Sequence, residues 1–168
     1  IEAPECVEDL MARINSLWFT YYDELDRIVR AHGEGTSSWM GIWCPERWYP
    51  LQCDFSAMIS PDMFARFVQP YLAEQCRWLD RSVYHWDGPG QLPHFELLLD
   101  IPELDGIQWT PGAGNPEAGS PHWFHLYRRI QERGKRLVLL GVNPADVPTL
   151  VQELRPEGLL INTWAHTQ

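Results

Sequence analysis

Downstream of residue 82, four short apolar runs recur at similar intervals, and this spacing restricts the fold more than any other feature. The runs are Ser82–Trp86, Gly106–Trp109, Leu137–Val142 and Leu159–Thr163, with starts 24, 31 and 22 residues apart. Each interval has room for one helix, at about 91–100, 121–133 and 144–155. The last two open with Ser120-Pro121 and Asn143-Pro144, a capping side chain before a proline whose missing N–H is harmless in the first helical turn. Ser60-Pro61-Asp62 starts an earlier helix in the same way, and Pro70 should kink it. Strands separated by one helix pair in parallel through right-handed crossovers. Leu137-Val138-Leu139-Leu140 is apolar on both faces, as such a sheet requires.

Upstream, Val7, Leu10, Met11, Ile14, Leu17, Trp18, Tyr21, Tyr22, Leu25, Ile28 and Val29 recur at three and four, predicting one helix over 5–31 that ends at Gly33 and Gly35. A Trp-rich loop over 36–53 follows and leads into a short strand around Leu51–Phe55. Four or five βα units make half of a (β/α)8 barrel, which needs about 250 residues. The expected fold is therefore α/β, the C-terminal half of a (β/α)8 TIM barrel with parallel strands alternating with helices. It would occupy residues 1–168 as one partial domain; an open parallel sheet is the alternative. A half barrel leaves two strand edges unpaired, so an N-terminal half or a second copy is expected to close it. The start at Ile1 and the shortness of the chain after its last strand agree with a fragment.

The chain has 13 Lys and Arg against 23 Asp and Glu, a formal net charge of −10. That balance excludes nucleic acid and anionic membrane surfaces, which need clustered basic residues. No apolar run approaches the ~20 residues of a membrane span, and no signal peptide is evident. Cys6, Cys44, Cys53 and Cys76 are scattered without a C-x-x-C pair, which fits a soluble protein in a reducing, cytoplasmic setting. Nine Trp in 168 residues admit two readings, core packing or a pocket lining.

In either architecture, function gathers at the carboxyl ends of the strands. Those ends read Cys53-Asp54; His85-Trp86-Asp87-Gly88; Trp109-Thr110-Pro111-Gly112; Gly141-Val142-Asn143; and Asn162-Thr163-Trp164-Ala165-His166. Three of the five carry a Trp, so Trp43, Trp86 and Trp109 are expected to wall a ligand pocket. His85 and Asp87, two apart on a strand, share a face and can exchange a proton or hold a metal ion. Alternatively, Asp87 is a turn residue and His85 a hydrogen-bonded core histidine. Asp54 is an acid/base candidate or a loop cap. Asn143, Asn162 and His166 complete the expected ligand-binding set. His122 and His125 are read as surface residues.

The stretch Leu51-Gln-Cys-Asp-Phe-Ser-Ala-Met-Ile-Ser-Pro-Asp-Met-Phe-Ala-Arg-Phe-Val-Gln-Pro-Tyr-Leu72 resembles the uroporphyrinogen decarboxylase superfamily. Tyr84-His-Trp-Asp-Gly88, Gly106-Ile-Gln-Trp-Thr-Pro-Gly112, the Gly134-Lys135 lead-in and the final strand follow in that family's order. The resemblance covers nearly the whole chain and implies the C-terminal half of the family's barrel. It implies either methyl transfer with a corrinoid protein or cofactor, or decarboxylation of a tetrapyrrole or other carboxylated substrate. In the methyltransferase branch a His-x-Cys and a later Cys hold zinc; here His85-Trp86-Asp87 has Asp for Cys, and the last strand offers Asn162 or Thr163. That set admits zinc without the soft thiolates, so activation of a thiol is weakened. In the decarboxylase branch the last strand carries Asn-Leu-Gly-His, where this chain has the longer Asn162-Thr-Trp-Ala-His166. Methyl transfer is the leading expectation, with Asp54, His85 and Asp87 as catalytic groups. A carbohydrate-active enzyme and a non-catalytic binding module are the other readings.

Overall fold

The computed structural model describes residues 2–165, so His166 lies outside the described residues. Helix α1 spans Pro4–Arg30, and a short antiparallel ribbon follows, β1 (Thr36–Ser37) with β2 (Trp43–Cys44). Next come β3 (Trp48–Gln52), α2 (Pro61–Phe67), α3 (Gln69–Trp78), β4 (Arg81–Asp87) and α4 (Phe95–Leu99). The chain continues through β5 (Gly106–Thr110), α5 (Phe124–Glu132), β6 (Arg136–Val142), α6 (Val147–Glu153) and β7 (Leu159–Thr163). Strands β3 to β7 form one parallel sheet in consecutive order, as the apolar spacing requires. None of the described helices is long and apolar enough to cross a membrane.

Three elements differ from expectation. The first strand of the sheet is Trp48–Gln52 rather than Leu51–Phe55, because the Ser56 amide donates to the Cys53 carbonyl and coils 54–58 into a 3-10 turn. The helix expected to kink at Pro70 divides at Val68 (φ −122°), which places Pro70 in the first turn of α3, where its lost donor costs nothing. Asn143 does not cap a helix directly: its Oδ1 accepts from the Ala145 amide, and α6 begins only at Val147. By contrast, Ser60 accepts from the Met63 amide at 3.2 Å and caps α2.

The registers Tyr84↔Ile107↔Leu137 and Trp86↔Trp109↔Leu139 align alternate side chains on one face, where helices cover them. Trp86 is fully buried, stacked on Phe95 at 4.5 Å and 8°, and in contact with Trp109; Trp109 packs in turn on Trp123 at 5.0 Å. The expected pocket walls Trp86 and Trp109 are thus core residues, because an odd step along a strand reverses the face.

The two edges of the sheet are unlike. At β3, the Tyr22 hydroxyl accepts from the Trp48 amide at 3.1 Å and donates to the Trp48 carbonyl at 2.9 Å. Trp48 therefore directs both backbone groups away from β4, and Pro50, two residues on, has no N–H to offer on that same side. The outer edge of β3 is capped against strand addition.

Truncating Trp86 to Ala should cost about 3–5 kcal/mol by removing the centre of the aromatic stack, read as a lowered urea midpoint. Burial also pushes the Cys76 thiol from 9.0 up to about 11. The folded chain then holds that proton more tightly than the unfolded chain, so the contribution is complete below pH 9 and falls away between pH 9 and 11. Cys76→Ala should flatten the loss of stability over that interval, which amounts to about 2–3 kcal/mol.

Candidate functional site

On β4 the alternation that sends Trp86 into the core turns Val83, His85 and Asp87 to the opposite face, where all three are half-buried. Gln52 and Gln108 flank His85 on the neighbouring strands, and Thr110 sits beside Asp87. Asp54 opens the 3-10 turn just past the carboxyl end of β3 and is exposed. Ligand atoms of Asp54, His85 and Asp87 all lie within 4.8 Å of one another. The structure therefore brings together the three residues expected to carry chemistry.

Buried Gln91 holds the two strand ends in this relation. Its Nε2 donates to the Cys53 carbonyl and its Oε1 accepts from the Asp87 amide, both at 3.4 Å, while its carbonyl accepts from Trp86 Nε1 at 3.1 Å. One side chain thus ties the residue before Asp54 to Asp87 itself. Gly88 turns the chain away at φ +79°, a backbone that disfavours any other residue, and its amide donates to the Thr110 carbonyl. Fully buried His94, stacked on Phe64, bonds the Ser56 carbonyl through Nε2 at 2.8 Å and secures the turn that carries Asp54.

Gln108 fixes the protonation pattern of His85. Its amide nitrogen donates to the Trp109 carbonyl and to Thr110 Oγ1, both at 2.8 Å, and a carbonyl can only accept, so the orientation of the amide is set. The Gln108 Oε1 then faces His85 Nδ1 and must receive a proton from it. Neutral His85 is therefore the Nδ1–H tautomer, with a bare lone pair on Nε2. This is the arrangement in which an outer partner orients a metal-binding or proton-accepting imidazole. None of the ion pairs among the described residues includes Asp54 or Asp87.

The remaining expected residues are dispersed. Exposed Trp43 donates from Nε1 to the Glu34 carbonyl and lies over Gly35, where an added Cβ would come within 2.8 Å of the indole. It braces the ribbon and walls no site. The indole beside His85 is Trp39, edge to face with ring centroids 4.9 Å apart. Trp39 also borders a cavity of about 500 Å3 between α1, the ribbon and β3, lined by Trp18, Tyr21, Tyr22 and Leu25 among others. Exposed Asn143 closes its own turn. Asn162 accepts from the Gly141 amide at 3.3 Å, at an irregularity in the pairing of β6 with β7, three strands from β4.

Sequence reasoning missed Gln91, Gln108 and the role of Trp39. For Gln108 a signal exists: it is the one amide within the otherwise apolar run Gly106-Ile107-Gln108-Trp109, at the place a neighbouring strand aligns with His85.

No protein-family model, curated protein or solved structure matches this chain.

In 15N NMR spectra of the neutral imidazole, His85 should show a protonated Nδ1 and an unprotonated Nε2. Gln108→Leu removes the acceptor and should mix the tautomers; an unchanged ratio would show that Gln108 does not set it.

Proposed function

We propose that this chain carries the strand-end site of a uroporphyrinogen decarboxylase-like (β/α)8 enzyme, with methyl transfer from a corrinoid protein or cofactor as its reaction class. The observation that carries the reading is the meeting of Asp54, His85 and Asp87 within 4.8 Å at the carboxyl ends of adjacent parallel strands. The consecutive order from β3 to β7 is common to a barrel half and to an open sheet, a barrel would close past β3 only if Tyr22 gave up Trp48, and the resemblance supplies the reaction class.

The donor set fits zinc. His85 offers a bare Nε2 held by an outer amide, and two carboxylates without an ion-pair partner balance a divalent charge. Three protein ligands leave a fourth position for substrate, the pattern of a catalytic zinc site. Where the family takes its third ligand from the last strand, Asp54 at the end of β3 takes that place here. Zinc in this position would supply Lewis acidity toward the group that accepts the methyl. Asp54 and Asp87 would hold it with oxygen, a harder set than thiolate, which favours oxygen-bearing acceptors beside thiols. Gln108 keeps the ring of His85 aimed, and Trp39 packs against that ring.

The same geometry weighs against two other readings. Two carboxylates without an ion-pair partner would repel a substrate bearing many carboxylates, which disfavours tetrapyrrole decarboxylation. With Trp86 and Trp109 in the core, the two tryptophans expected to wall the strand ends are withdrawn from them, which disfavours a carbohydrate platform there.

The full chain, loaded with zinc and freed of excess metal, should retain one equivalent. His85→Ala should lose it, with an affinity drop on the order of a hundredfold. Methylcobalamin offered with a panel of thiols and alcohols should be demethylated by the zinc form. Zinc retention without demethylation would leave a metal site and remove the methyltransferase reading; no retained zinc would remove both.

A further inference from the structure

We propose that a second copy of this chain docks on the exposed face of α1, with the two helices antiparallel. Leu10, Ile14, Leu17, Tyr21, Leu25 and Ile28 form a stripe along α1, each between 45% and 62% exposed. Their spacings of four, three, four, four and three keep them on one side of the helix. The adjoining side of α1, about a third of a turn around, is already engaged: Asn15 bonds Glu74 and Gln75, Tyr22 caps Trp48, and the Glu8 carbonyl accepts from Tyr71, while Tyr21 and Leu25 of the stripe also border the cavity beside the ribbon. The stripe is therefore not the core face of the helix turned outward by a rotation of α1.

Its size matches a subunit interface. The six residues expose on the order of 600 Å2, beyond the few hundred Å2 of an ordinary surface patch and approaching the ~800 Å2 that each partner buries in a standard interface. The same stripe on a second copy is complementary to it under a two-fold axis, the commonest symmetry of homo-oligomers.

Charge selects the antiparallel direction. Arg13 and Glu24 flank the stripe on one side, both exposed, and neither has an ion-pair partner among the described residues. Placing Leu17 of one copy opposite Tyr21 of the other sets Leu10 opposite Ile28 and brings Arg13 within one residue of Glu24, twice by symmetry. A parallel pair, whose two-fold axis runs along the helices, would instead carry the two charged flanks to opposite sides of the interface and form neither ion pair. Strand addition is not the route at this end of the sheet, because Tyr22 and Pro50 cap β3. The dimer joins through side chains.

Sedimentation equilibrium of the full chain at micromolar concentration tests this. A dimer is expected, and Leu17→Glu with Tyr21→Glu should render it monomeric while far-UV circular dichroism stays unchanged, since both side chains are exposed, and the thermal midpoint should lose its dependence on chain concentration. Arg13→Glu and Glu24→Arg should each weaken the dimer roughly tenfold, and the double exchange should restore it. A monomer throughout, a dimer indifferent to Leu17→Glu with Tyr21→Glu, or single exchanges that the double exchange fails to rescue would each overturn the proposal. None of these readouts depends on zinc or on methyl transfer, so the two proposals fail separately.

Discussion

The strict alternation of side chains along β4 is the constraint from which the rest of the molecule follows. Ser82, Tyr84 and Trp86 point one way and are buried; Val83, His85 and Asp87 point the other and are half-buried. One seven-residue strand therefore supplies both the centre of the aromatic core and the centre of the candidate site. A slip of one residue in its pairing would exchange the two sets, burying His85 and Asp87 among Phe95 and Leu137 and exposing Trp86. The cost of such a slip keeps the site in register, and the Trp86–Phe95 stack is accordingly as much a positioning device as a source of stability.

The parallel sheet was legible because apolar runs and capped prolines recur at fixed distances, and both signals are local. The pairing of His85 with Asp87 was legible for the same reason, since a separation of two on a strand dictates a common face. What failed was the inference from the position of Trp along the chain to its direction. Trp86 and Trp109 do occupy strand ends, but each takes the opposite face from the chemical residue beside it, and composition carries no information about face. Trp43 and Trp39 differ by four residues in a loop, where no periodicity reports direction; the ribbon geometry around Gly35 sends one across the ribbon and leaves the other against His85. Gln91 and Gln108 were invisible for another reason. Their importance lies in bonds to backbone groups of other strands, and such bonds exist only once the sheet has assembled.

Polar groups at the candidate site are ordered from behind. The amide of Gln108 is oriented by a backbone carbonyl, it orients an imidazole, and that imidazole lies in one cluster with two carboxylates. Each step in this chain is determined by a group with only one hydrogen-bonding option, so the arrangement holds without contributions from solvent. Gln91 performs the corresponding service for the backbone, joining the ends of β3 and β4 from within the core. The site thus stands on the sheet itself although Asp54 belongs to a turn.

The hydroxyl that closes off β3 has a consequence for how such chains associate. Parallel sheets with two free margins can add one another head to tail, the last strand of each molecule meeting the first strand of the next, and such growth has no natural stopping point. Here one margin is sealed from within by Tyr22 and by a proline, so that chain reaction has a start but no acceptor. Pairing through a helical flank under a two-fold axis, by contrast, consumes the surface it uses. A single tyrosine, by satisfying both backbone groups of Trp48, thus works against head-to-tail strand pairing as a route to open-ended growth.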